Sequence, residues 1–280
     1  MPWAPELFSA PARARLEQEH RIEELVTVPF FPGLMTGEID ALVGSFAGEP
    51  ELHHPVQGRV KGKRAFERYV SDTQTWLKER NISIEEIGHT IRTGRRSVGE
   101  GILHLDGGAA PVDLPVAIVT DRRPNGRIEE IRMYYSSWPL TGRHANRPPV
   151  LQPDPELAEP DVVGEYQRGL AAGNVDAIVA AFEPDGYARE PGGAQYTHRG
   201  AERLRAFYEW WFSNNGGIRL GRCTLTDDEH ECAVEYNVVC WGKTELGPEA
   251  GIAVYERGDS GQLVAARIYD GCDPPLDAPT

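Results

Sequence analysis

The chain has little positive charge: 29 lysines and arginines stand against 43 aspartates and glutamates, a formal net charge of −14. Nucleic acids and anionic membrane surfaces attract basic faces, so neither is an expected partner. Long hydrophobic runs are also missing. No stretch reaches the ~18 apolar residues that a membrane-spanning helix requires. The first residues, Met1-Pro-Trp-Ala-Pro, lack the charged and apolar regions of a secretory leader. A cytoplasmic protein is therefore expected. Cysteine is scarce, with four in all (Cys223, Cys232, Cys240, Cys272) and no CxxC pair. Reduced structural thiols fit better than disulfides or a zinc site. There is no glycine-rich dinucleotide loop, P-loop, HExxH or GxSxG. Nothing in the sequence calls for a cofactor or a metal.

An internal repeat is present. GEIDALVGSF (37–46) returns as GNVDAIVAAF (173–182), VGEGILHLDG (98–107) as AVEYNVVCWG (233–242), and GRIEEIRMY (126–134) as GQLVAARIY (261–269). Three blocks in the same order and near-constant spacing indicate two copies of one domain. The expected division is a first domain over 12–145, a proline-rich linker over 146–159 and a second domain over 160–277. The wider segment between the repeats, TGRHANRPPVLQPDPELAEP, reads as a semi-rigid spacer.

In the second copy, Val163, Tyr166 and Leu170 recur at helical spacing before Gly173, a residue suited to ending a helix. A short helix, a short extended piece and a helix opening after Gly200 come next. Three β-rich runs follow, the last a hairpin turning at Arg257-Gly-Asp-Ser-Gly. The expected class is α+β: two tandem cone-shaped domains, each with three N-terminal helices packed on a curved antiparallel sheet. A pocket should lie between helices and sheet.

The stretch YQRGLAAGNVDAIVAAFEPDGYAREP (166–191) resembles the start of ketosteroid isomerases and their SnoaL-like, nuclear-transport-factor-2-like relatives. That resemblance implies that Tyr166 matches the oxyanion-binding tyrosine and Glu190 the general-base carboxylate. The isomerases' second, protonated aspartate has no counterpart, its positions being Ala253 and Ile118. Steroid isomerisation is not expected. Asp270 instead shares a strand face with Ile268. Two carboxyls at one apolar cavity cannot both ionise cheaply, which would separate Glu190 and Asp270 into a base and an acid. The alternative is that both are rim carboxylates paired with arginines.

In the first copy Phe30, flanked by Pro29 and Pro32, takes the place of Tyr166, His54 that of Glu190, and Tyr135 that of Asp270. His54 and Tyr135 are thus further catalytic candidates. His53 should point to the opposite strand face, so the two histidines are not expected to share a metal. Tyr236, Trp211, Phe207, Ile268 and Trp138 are candidates for lining the substrate pocket. Glu100 and Glu235 are matching charges within strands and are read as contacts of the outer sheet face, where relatives dimerise. A tandem chain would make that contact internally, as a pseudo-dimer, with further homo-oligomerisation optional.

Tandem copies of this fold resemble two-domain polyether epoxide hydrolase/cyclases. The expected function is cofactor-independent acid/base catalysis on a small, largely apolar metabolite, of isomerase, cyclase or epoxide hydrolase type, in natural-product biosynthesis. The alternative is a non-catalytic small-molecule-binding or scaffold protein.

Overall fold

A computed structural model describes residues 39–106 and 111–272. The expected helix around Phe30 lies outside them. The first unit contains α1 (Ile39–Gly44), the hairpin β1 (Glu51–His54) and β2 (Gly58–Lys61), α2 (Lys63–Glu79) and four strands. These are β3 (Ser83–Thr93), β4 (Arg96–Asp106), β5 (Pro111–Arg122) and β6 (Ile128–Tyr134). A short helix, α3 (Trp138–Thr141), leads toward the second unit. There α4 (Asp161–Ala172) and α5 (Val175–Ala181) precede the hairpin β7 (Phe182–Arg189) and β8 (Thr197–Arg199). Helix α6 (Ala201–Trp211) and the strands β9 (Ile218–Asp227), β10 (Glu231–Trp241), β11 (Thr244–Arg257) and β12 (Leu263–Tyr269) complete it.

The two sheets share one topology, β2-β1-β6-β5-β4-β3 and β8-β7-β12-β11-β10-β9. The architecture is thus two tandem α+β units. Two details depart from the expectation. Each sheet carries one parallel pair, β1 with β6 and β7 with β12, because the last strand of the meander returns beside the first strand of the hairpin. The hairpin also precedes the last helix of each unit, so helices and strands are not cleanly segregated in sequence.

Local chemistry explains the helices of the second unit. Val162, Val163, Tyr166 and Leu170 form the buried stripe of α4. The helix ends where Gly173 adopts φ +66°, a left-handed conformation that suits glycine. Asn174 then caps α5, its Oδ1 accepting the Ala177 N–H at 3.1 Å. Helices α4 and α5 touch through Gly169, where a Cβ would lie 2.9 Å from Ile178 Cγ1.

Each sheet uses one face for its own helices and the other for the partner unit. Ile91, Val98, Ala117, Val119 and Tyr134 pack against Ala233, Ala250, Ile252, Val254 and Tyr269 across the boundary. The charges embedded in this seam are reciprocal. Arg132 donates from Nε and Nη2 to Glu235 at 2.6 and 2.8 Å, and Tyr134 Oη donates to the same carboxylate at 2.7 Å. In return, Arg267 donates to Glu100 at 2.7–3.1 Å, and Tyr269 Oη also donates to Glu100. Both arginines are fully buried. Burial pushes the Glu235 carboxyl up. The Arg132 charge and the hydrogen bonds from Arg132, Thr224 and Tyr134 outweigh it and hold Glu235 below the usual carboxylate range.

The connecting segment is docked rather than free. Arg147 donates to the carbonyls of Met133 and His53 at 2.6 and 3.1 Å, while its own carbonyl accepts the Ala250 N–H at 2.9 Å. Further along, the Leu151 carbonyl accepts from Asn237 Nδ2 at 3.1 Å. All four cysteines are buried, and none of them forms a disulfide. No helix among the described residues is long and apolar enough to cross a membrane.

Candidate functional site

A cavity of about 800 Å³ opens between α2 and the sheet of the first unit. That volume lies within the range of small-molecule sites. Residues of α2 three and four apart (Tyr69, Asp72, Thr73, Trp76) present one helix face to it. Leu103, Leu114, Val116 and Met133 supply the sheet wall, and His54 and Tyr135 the polar end.

Strand alternation places His54. Leu52 and His54 point inward, whereas His53 points outward to Glu51 and Glu130, at 3.4 and 3.5 Å. Glu51, His53 and Glu130 lie close enough to surround an ion. Their carboxylates, however, are already engaged by Arg59, Lys61 and Arg132. The cluster is a neutralised surface network.

The hydrogen bonds of His54 define its proton. Its Nδ1 accepts the backbone N–H groups of Val56 and Gln57, at 3.2 and 3.0 Å, and therefore carries no hydrogen. The neutral ring then bears its proton on Nε2, which lies 3.2 Å from Tyr135 Oη and donates to it. An imidazolium would set a third donor against the two backbone N–H groups. Burial, and next the Arg147 charge, pull the His54 pKa down to about 4. Burial likewise raises Tyr135 above the usual phenol value. The pair is a neutral relay: His54 feeds the tyrosine oxygen, leaving the tyrosine hydroxyl to donate into the cavity. His54 is thus placed as a positioning donor, with both ring nitrogens engaged.

The second-unit candidates lie elsewhere, and none lines this cavity. Tyr166, Phe207, Trp211, Tyr236 and Ile268 belong to one buried cluster. The Tyr166 hydroxyl is 2.9 Å from that of Tyr208, with the Phe182 and Tyr255 rings against it. Burial pushes its pKa up to about 12. Glu190 is paired with His198 Nε2 at 2.7 Å, and that imidazole stacks on Phe207 at 4.0 Å. Asp270 accepts from Tyr236 Oη at 2.8 Å. Burial raises the Asp270 pKa, the Tyr236 and Cys272 hydrogen bonds oppose the rise, and the nearby Glu190 charge adds to it. Trp138 is half exposed, stacks on His144 at 4.9 Å and reaches Tyr196 of the second unit at 3.4 Å.

Asp72, Arg143 and His144 also line the cavity, and sequence reasoning did not select them. The position of Asp72 three residues after Tyr69 and four before Trp76 was an available signal. Arg143 and His144 fall inside a segment that reads as spacer.

Residues 163–266 match the family model described as SnoaL-like domain. No curated protein matches the chain. Three solved structures are similar to parts of the chain. A candidate polyketide cyclase from Sinorhizobium meliloti is 19% identical, with a TM-score of 0.34 over 39% of this chain and 94% of its own. SalBIII, an epoxide hydrolase/cyclase-like enzyme in pyran ring formation in the polyether salinomycin, is 22% identical, with a TM-score of 0.34 over 41% of this chain and 90% of its own. An NTF-2 like protein of unknown function from Burkholderia xenovorans is 19% identical, with a TM-score of 0.32 over 42% of this chain and 84% of its own.

Proposed function

We propose, from the premise that residues 163–266 match a SnoaL-like domain whose topology the first unit repeats, that the chain is an acid/base enzyme acting on a small, largely apolar metabolite. The reaction is of isomerase, cyclase or epoxide hydrolase type, needs no cofactor, and takes place in the first-unit cavity. One observation carries this reading: the His54–Tyr135 pair presents a partly buried phenol O–H at the polar end of an apolar cavity. Such a donor binds a carbonyl, ether or epoxide oxygen and strengthens its bond as negative charge builds there. Asp72, a carboxylate of the same lining, is the group to remove a proton.

Conversion of small enones, β-dicarbonyl compounds and epoxides, followed by chromatography and mass spectrometry, tests the reading. Tyr135→Phe should lower turnover by about 10²–10³, the effect of deleting one oxyanion donor. A second reading places proton transfer in the second unit. It is supported by the partly buried Asp270 carboxylate, which accepts from Tyr236 Oη at 2.8 Å and whose pKa burial raises. Glu190→Gln separates the two. If it abolishes turnover while Tyr135→Phe leaves it intact, the chemistry belongs to the second unit. Ligand binding without turnover by any variant identifies a binding protein instead.

A further inference from the structure

The cavity lining contains two consecutive cationic or cationisable side chains, Arg143 and His144. Their backbone is held firmly. Gly142 takes φ +66°, and the Arg143 carbonyl accepts from Ser137 Oγ at 2.7 Å and Thr141 Oγ1 at 3.1 Å. The Arg143 N–H donates back to Thr141 Oγ1 at 3.2 Å. The arginine side chain is therefore an arm on a fixed base. Among the described residues no carboxylate pairs with it, in a chain whose acidic residues outnumber its basic ones 43 to 29. Asp72, which shares the lining, forms no ion pair with it.

His144 has an equally incomplete environment. Its ring is stacked on Trp138, and its Nδ1 is buried without a hydrogen-bond partner. The second unit braces this segment from behind: a Cβ on Gly271 would lie 2.5 Å from the Ala145 carbonyl oxygen. That contact brings His144 within electrostatic reach of Asp270 across the unit boundary.

We infer that Arg143 and His144 form the anion-binding end of the cavity, and that its ligand is an amphipathic organic acid. Its apolar body lies along Leu103, Leu114, Val116 and Met133, and its carboxylate is held by the Arg143 guanidinium with the His144 ring beside it. The guanidinium fork suits a carboxylate because two parallel N–H donors match its two oxygens. The inference rests on the cavity being the ligand site.

The test uses the whole chain and three probes that share one hydrocarbon body: dodecanoate, methyl dodecanoate and dodecanol. Binding is followed by calorimetry and by tryptophan fluorescence, to which Trp76 of the cavity lining contributes. Dodecanoate should bind more tightly than the ester or the alcohol, by a margin that shrinks with salt. Arg143→Gln and His144→Gln should each weaken dodecanoate binding by about threefold to tenfold, the effect of a partly exposed charged contact, and leave the ester unaffected. Equal affinity of acid and ester for the wild type overturns the anion site and leaves the cavity reading standing, as does a variant that weakens both probes alike. If no probe binds, both fall.

Discussion

Replacing Glu235 by Gln removes one charge from the seam between the two units while keeping side-chain volume. In the wild type this carboxylate accepts four hydrogen bonds, from Arg132 Nε and Nη2, Tyr134 Oη and Thr224 Oγ1, at 2.6–2.8 Å. A carboxamide has one acceptor oxygen, so at least one guanidinium N–H would face an N–H₂ group. Breaking a buried pair in this way typically costs about 3–5 kcal/mol. Arg132 retains Asp121 at 2.8 Å and also Glu130, carboxylates that are about a quarter exposed. The loss should therefore fall near the lower end, about 3 kcal/mol. With a urea dependence of about 3 kcal/mol per molar for a chain of this size, the unfolding midpoint should drop by about 1 M. Far-ultraviolet circular dichroism in urea measures this directly. The double variant Arg132→Met/Glu235→Leu should recover most of the loss, because no lone charge stays buried. A midpoint change under about 0.3 M for Glu235→Gln, or a double variant less stable than the single, would refute this account of the seam.

Acid should act on the same seam. The Glu235 carboxyl is held below its ordinary range, so its contribution is complete above the unfolded value near 4.3 and is lost as pH falls through the lower folded value. Circular dichroism should show the seam failing below about pH 4. His54 acts in a higher window. It titrates near 4 when folded and near 6.5 when unfolded, so the unfolded chain takes up its proton first. Stability should fall as pH drops from about 6.5 to 4, by at most about 3 kcal/mol. His54→Gln should flatten that slope, and an unchanged slope would argue against a neutral imidazole in the folded chain. Gly271→Ala drives a Cβ into the Ala145 carbonyl. It should weaken dodecanoate binding severalfold although residue 271 lies outside the cavity lining, and unaltered affinity would show that the second unit does not brace the cavity.

Much of the fold was legible because a duplicated sequence states its pattern twice. The repeated strand blocks carry the same sheet order in both units, and the matching charges Glu100 and Glu235 pointed to the outer sheet face. Alternation also separated His53 from His54 and Tyr236 from Glu235 correctly. The location of the open space was not legible, because it depends on volumes meeting in three dimensions. Tyr166, Tyr208, Trp211, Tyr236 and Tyr255 pack together in the second unit, whereas Leu103, Leu114, Val116 and Met133 border the cavity of the first. Periodicity treats both sets alike as inward-facing apolar positions. The role of the connecting segment was hidden for a related reason. Its prolines read as a spacer, but Arg147 ties it to Met133, His53 and Ala250, through contacts that no local pattern encodes.

The reciprocity of Arg132 with Glu235 and of Arg267 with Glu100 means that each sheet displays both halves of the same lock. A face of that kind is complementary to itself. Two copies of the C-terminal half, produced alone, would offer each other Glu235 for Arg267, in place of the Arg132 and Glu100 that the N-terminal half supplies in the intact polypeptide. Covalent fusion makes the correct partner always the nearest one, so each half is free to specialise while the other keeps it in place.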